Sequence, residues 1–181
     1  NYDDCQGHPV WMEPIEWLGA SNKSYHLHLI SNQPRTKLHS QLDNGSYSLS
    51  VKINGHEPVE MNTNDAKLRG IAEGDLVRVF NDRGACICGA RITEDVMPGV
   101  IIISTGSWYD PYDPSDINSI CKHGNPNMLA PDIGTSKLAQ GPAAHSCLVE
   151  VELYKGPPIT ITAFEPPEII QLEDMGDCNE A

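Results

Sequence analysis

The residues of this chain whose types and spacing suit ligand chemistry are polar and mostly uncharged. His39-Ser40-Gln41 sets an imidazole, a hydroxyl and an amide in one turn after a strand-like run. Asn125 and Asn127 bracket Pro126, whose fixed φ holds the two amides in a defined relation. Gln140 precedes Gly141-Pro142, where a residue without a Cβ lets a ligand approach the backbone closely. Such groups bind a planar molecule rich in donors and acceptors by hydrogen bonds more than by charge. Each also has a plainer reading. His39 can be a satisfied core histidine, and Asn127 can cap its own loop through an Asx-turn.

The charge balance excludes other classes. The 181 residues hold 12 Lys and Arg against 25 Asp and Glu, a net charge of −13. The excess sits at the ends: Asp3, Asp4, Glu13 and Glu16 before residue 17, and Glu165 to Glu180 after residue 158, with no basic residue in either stretch. The expected organisation is therefore a lead-in interdomain segment (1–16), one near-neutral domain (17–158) and an acidic tail (159–181). Phosphate-backbone binding needs clustered Lys and Arg, so a nucleic-acid surface is disfavoured. No apolar run reaches the roughly 18 to 20 residues of a membrane helix. The chain does not start with Met, and we read it as a piece of a longer polypeptide.

Six cysteines invite a disulfide or zinc reading. Cys86 and Cys88 flank Ile87 in a strand-like run, where i and i+2 share a face but reach each other poorly for a disulfide. A zinc site from Cys86, Cys88, Cys121 and His123 fits no compact zinc spacing. Cys147 reads as a small core residue.

Short alternating runs must position these groups. Residues 25–30 alternate with Tyr25, Leu27 and Leu29 on one face, and Tyr47, Leu49, Val51 and Ile53 alternate likewise. Leu76–Phe80 and Ala85–Ile92 form a hairpin across Asn81-Asp82-Arg83-Gly84. Val100–Ile103 is apolar on both faces, as in a buried strand, and 147–153 alternates again. One short helix follows Asn64 as N-cap and closes at Gly70 in the left-handed region. Residues 104–143 are rich in Gly, Pro, Asn and Asp but keep Trp108, Tyr109, Tyr112, Met128 and Leu129, which marks an ordered binding loop. Within it, Asp113-Pro114 can open a second helix ending at Gly124. Leu138 and Ala139 read as packing, and His26, His56 and His145 as surface or structural. Short strands with Gly and Pro punctuation mean an all-β barrel or sandwich.

Several segments together resemble the C-terminal molybdopterin-dinucleotide-binding domain of the dimethyl sulfoxide reductase family, in its trimethylamine N-oxide and biotin sulfoxide reductase branch. The carrying residues are His28-Leu29-Ile30-Ser31-Asn32-Gln33-Pro34, Leu38-His39-Ser40-Gln41-Leu42, the unit 64–75 and Ser104-Thr105-Gly106-Ser107-Trp108-Tyr109-Asp110-Pro111. His123-Gly124-Asn125-Pro126-Asn127, Asp132-Ile133-Gly134-Thr135-Ser136 and Gln140-Gly141-Pro142 complete them in the family's order.

The resemblance implies a six-stranded double-psi β-barrel with short helices and a long ordered binding loop. It implies a Mo-bis(molybdopterin guanine dinucleotide) cofactor, contacted here by Ser31, Asn32, Gln33, His39, Ser40, Gln41, Asn127, Gln140 and Gly141. Arg35 and Lys37 can sit near a pyrophosphate, though neither matches a position carried over from the family, and Ser31, Asn32 and Pro34 can equally be a turn ending a strand. The parent enzyme would reduce N-oxides or S-oxides, and its metal ligand would lie in an earlier domain, so this piece alone would not catalyse. Its partners would be the N-terminal domains of the same polypeptide and a cytochrome-type electron donor, and its compartment the periplasm, or the cytoplasm for the biotin sulfoxide type. Trp108, Tyr109, Trp11 and Trp17 would face those other domains.

Two other classes compete. A pyruvoyl-dependent decarboxylase can share the barrel and matures at a Gly-Ser bond, here Gly45-Ser46 or Gly106-Ser107, though a shared fold is weak warrant. A stand-alone adaptor would bind a protein partner through an exposed surface and leave the polar loop 123–142 without a purpose.

Overall fold

The computed structural model describes residues 2–166 and 169. Six strands close into a barrel in the order β1-β5-β2-β4-β3-β6. They are β1 (Leu27–Ile30), β2 (Pro58–Asn62), β3 (Leu76–Asn81), β4 (Gly84–Thr93), β5 (Val100–Ile103) and β6 (Leu148–Leu153). β1 runs parallel to β5 and β2 parallel to β4, while the other four pairings are antiparallel. This is the six-stranded double-psi β-barrel of an all-β domain.

The alternating runs work as expected where a strand forms. Leu27 and Leu29 of β1, Val77 and Val79 of β3, and Val149 and Val151 of β6 all point into one core. Cys86, Cys88, Cys121 and Cys147 are free thiols in or against that core, with the Cys86 and Cys88 sulfurs 3.8 Å apart. Among the described residues no cluster of His, Cys, Asp or Glu is arranged to hold a metal ion. Cys178 and the tail from residue 170 onward lie outside the described residues. No described helix is long and apolar enough to cross a membrane.

Five local expectations fail. Residues 46–51 form a helix, α1 (Ser46–Val51), and not a strand. Its buried residue is Ser48, while Tyr47 and Leu49 are exposed. The helix brings Lys52 to 2.9 Å from Asp43, whereas nine extended residues would set them about 30 Å apart. The next helix, α2 (Thr63–Arg69), starts two residues earlier than Asn64 as cap suggests. Asn62 is the cap and accepts from the Asn64 amide, and Gly70 closes the helix at φ 65°.

The stretch after Asp113 is not helical. The Asp113 carboxylate accepts both the backbone N–H and the hydroxyl of Ser115, a local bond that competes with helix formation. The helical turn of this loop is 3-10, Pro126–Met128. In β5, Ile102 is half-buried and faces a cleft, so that strand is covered on one face more than the other. Leu138 and Ala139 are exposed and do not pack. His56 is fully buried and bonds the Lys122 carbonyl, a structural role, while His26 and His145 are at the surface.

Candidate functional site

The loops that leave the barrel at one end converge on a cleft of about 420 Å³. His39 and Ser40 form one wall, Thr105 to Tyr109 the second, and Asn125 with Asn127 the third. The His39 backbone is left-handed at φ 50°, a conformation that exposed non-glycine residues adopt only in tight turns. It is exposed, which removes the core-histidine alternative. Gly106, at φ 92°, lies against this turn so closely that a Cβ there would overlap the His39 carbonyl.

Asn125 and Asn127 have divided their tasks. The Asn125 side chain accepts the Asn127 N–H and caps the 3-10 helix, which fixes the turn. Asn127 therefore does not cap its own loop, and its amide side chain is exposed at the cleft with no partner among the described residues. That leaves two donors and an acceptor for a ligand.

Behind the cleft the polar groups are buried and paired. Ser107 donates to the His123 carbonyl at 2.8 Å. His123 Nδ1 lies 3.0 Å from the Trp108 carbonyl, so this nitrogen carries the proton. Among the described residues its Nε2 has no hydrogen-bond partner, and its ring meets the Phe164 ring edge-on at 5.0 Å. Burial, aided by the Lys52 charge, pushes the imidazole down to about 4. Asp110 accepts from the Thr162 amide and hydroxyl and from Lys122, which together outweigh burial and lower its carboxyl. The segment 162–164 is thereby clasped over the back of the cleft, with Phe164 against Trp108 as well.

A second cleft of about 540 Å³ opens beside β5, lined by Asn32, Gln33, Arg35, Tyr47, Arg91 and Ser104 among others. The Ser104 hydroxyl donates to Asn32 Oδ1 and the Thr105 amide to the Asn32 carbonyl, which joins this cleft to the first. Ser31 is half-buried at the end of β1.

The expected site residues thus fall into groups. His39, Ser40 and Asn127 meet in one cleft, and Asn32 and Gln33 line its neighbour. Gln41 is exposed beside Ser40 and lines neither. Gln140 and Gly141 sit on a self-bonded loop, where Gln140 donates to the Ser136 carbonyl and Gly141 accepts from the Thr135 amide. Lys37 is buried and lines neither cleft, paired with Asp43 and with Glu57, which does line the second. Sequence reasoning missed Asp43, which accepts the Trp108 N–H behind the cleft. Nothing local marks Asp43, because its importance comes from partners at residues 37, 52 and 108. A group that is flat, polar-edged and nucleotide-sized fits this lining of hydroxyl, imidazole, free amide and side-chain-free backbone.

Comparison with known proteins agrees with the fold. A family model described as the molydopterin dinucleotide binding domain matches residues 27–148. The chain is 49% identical over 167 residues to the dimethyl sulfoxide/trimethylamine N-oxide reductase of Cereibacter sphaeroides, covering 92% of this chain and 20% of that protein. It is 49% identical over 169 residues to the trimethylamine-N-oxide reductase of Salmonella typhimurium, with coverage again 92% and 20%. Acetylene hydratase from Pelobacter acetylenicus shares the fold, with a TM-score of 0.64 at 16% identity over 81% of this chain and 21% of that one. The chain spans about 20% of the length of the curated relatives it matches.

Proposed function

The chain belongs to the molydopterin dinucleotide-binding domain family, and from that premise we propose that it is the C-terminal cofactor-holding module of a molybdenum oxidoreductase. Its cofactor is Mo-bis(molybdopterin guanine dinucleotide), and the parent enzyme reduces an N-oxide or S-oxide of the trimethylamine N-oxide, dimethyl sulfoxide or biotin sulfoxide type. The observation that carries the reading is the cleft where His39, Ser40 and the unpartnered Asn127 amide converge, in a chain nearly half identical to reductases of that description.

When bound, the cofactor supplies the oxygen-atom transfer and its two electrons. This chain's part is to bind and orient. Asn127 and Ser40 offer donors and acceptors to the edge of a purine or pterin, and His39 adds a ring nitrogen. Gly106 lets the 105–109 turn pack directly on the His39 carbonyl, which brings the two walls together. Asn32 and Gln33, with Ser31 behind them, present a second polar wall in the adjoining cleft. Gln41, Gln140 and Gly141 flank these walls and complete the proposed contact set.

The module works with the remaining domains of a longer polypeptide, which hold the metal's protein ligand. A cytochrome-type donor feeds electrons to the whole enzyme, and the periplasm is the proposed compartment. The test is the molybdenum and guanine-nucleotide content of the native, full-length polypeptide. Both present on a chain several times this length supports the reading. A native polypeptide free of both overturns it.

A further inference from the structure

Four charged side chains meet behind the turn that carries His39 and Ser40. Lys37 Nζ lies 2.8 Å from Asp43 Oδ1 and 2.7 Å from Glu57 Oε2, and Lys52 Nζ lies 2.9 Å and 2.8 Å from the same two oxygens. None of the four side chains is more than 5% exposed. Two cations and two anions alternate around a closed ring, so the buried charge cancels. Taking four ions out of water is nonetheless costly, and such clusters are commonly no more stabilising than apolar packing of the same volume. What the ring holds is therefore more informative than what it contributes to stability.

Asp43 is the member that reaches out of the ring. Its Oδ1 accepts from both lysines and from the Ser48 hydroxyl at 3.3 Å. Its Oδ2 accepts the backbone N–H of Trp108 at 2.9 Å. The indole Nε1 of the same Trp108 then donates to the Ser40 carbonyl at 2.7 Å. Two residues earlier, Gly106 touches the His39 carbonyl. The turns at 39–41 and 105–109 are thus in backbone contact, and one carboxylate fixes the second turn against the first.

We propose that Asp43 is a positioning residue for the cofactor cleft. Lys37 and Lys52 hold its carboxylate still, Glu57 balances their charge, and the free carboxylate oxygen sets the Trp108 backbone. The spacing between His39-Ser40 and Thr105–Ser107 follows from that bond. This inference rests on the cofactor reading above.

A neutral amide cannot replace the carboxylate. After Asp43→Asn the side chain has one acceptor oxygen, with two ammonium groups and a hydroxyl on one side and an N–H on the other. In either orientation its NH₂ faces a donor. Glu57→Gln makes the same change in ring charge without touching Trp108, so the pair separates anchoring from charge balance.

The two variants are compared in the full-length polypeptide by amide hydrogen exchange and by guanine nucleotide retained per purified chain. Asp43→Asn raises exchange at the Trp108 amide about tenfold or more, the effect of losing one charge-assisted bond. It lowers retained nucleotide several-fold, while the Cys88 amide in β4 stays protected. Glu57→Gln leaves Trp108 exchange near wild type. Equal Trp108 exchange in the two variants overturns the proposal. If Asp43→Asn does not fold, the wild type decides: a Trp108 amide that exchanges as fast as an unbonded loop amide overturns the proposal, and a protected one supports it. A wild-type polypeptide without guanine nucleotide overturns the cofactor reading instead, and the Trp108 exchange comparison still decides whether Asp43 anchors the turn.

Discussion

The barrel and the loop layer above it are held together by different physics. In the barrel, side chains such as Leu29, Met61, Val79 and Ile101 are fully buried in one apolar core. Burial of this kind is non-directional, and each residue contributes according to the area it hides. The loop layer buries Lys37, Asp43, Glu57, Asp110, Lys122 and His123 instead. There each group depends on a named partner at a set distance, and the loss of one strands another. An apolar core tolerates repacking, whereas a polar layer keeps its shape only while the set is complete. The proposed ligand cleft lies on the second kind of foundation.

That contrast is open to direct attack. Asp43→Ala should be the most damaging single change in the loop layer, costing about 3–5 kcal/mol because two buried lysines lose a counterion. Ile101→Ala in the barrel should cost a comparable or smaller amount, about 2–5 kcal/mol. Urea unfolding of the 181-residue chain measures both. Amide exchange should distinguish them, spreading through the barrel strands for Ile101→Ala and staying in residues 37–57 and 104–109 for Asp43→Ala.

Acid should strip the loop layer in two stages. His123 is held at about 4 against an ordinary 6.5, so the unfolded chain takes up a proton that the folded chain refuses. The resulting loss begins as pH falls below 6.5 and is complete below about 4, to the order of 3 kcal/mol. Burial alone would raise the Asp43 carboxyl, but Lys37, the Trp108 amide and Lys52 outweigh it and hold it at about 2 against an ordinary 3.8. Its contribution, about 2 kcal/mol, is present above 3.8 and lost as pH falls through about 2. Stability against pH for the wild type and His123→Gln should differ in the first stage only.

Smaller effects test the cleft without touching its foundation. Asn127→Ala should leave stability within about 0.5 kcal/mol, as for an exposed position, and lower nucleotide retention in the full-length polypeptide about tenfold through lost polar contacts. Gln140→Ala should have the smallest effect, since its amide is exposed and already donates to the Ser136 carbonyl. Equal losses from the two variants would place the 133–143 loop in the same cleft as Asn127.

The same division explains what the amino-acid order made legible. Period-two alternation located β1, the β3–β4 hairpin and β6, because a half-buried strand leaves that imprint whatever its neighbours are. Alternation misled at Tyr47, Leu49 and Val51, where a salt bridge between Asp43 and Lys52 required the compact path of a helix. At Asp113 a helix start and an Asx-turn share the same residues, and the local bond to Ser115 won. His39, Ser40 and Asn127 were legible as ligand-binding types in loops. Asp43 was not, since burial of a carboxylate in a polar stretch depends on contacts that sequence distance conceals.

The parallel pairing of β1 with β5, and its antiparallel pairing with β6, has a consequence for biosynthesis. His28 meets Val100 on one side and Leu148 on the other, so the first barrel strand to leave the ribosome has neither neighbour until most of the barrel has been made. Closure waits for β6, and the clasp of Thr162 on Asp110 waits longer still. Folds built on such distant pairings form slowly and expose unpaired edges meanwhile. A cleft whose walls are set at residues 39, 108 and 127 is complete only after translation has passed them all. The ligand is therefore received only after these walls have been translated and have folded together.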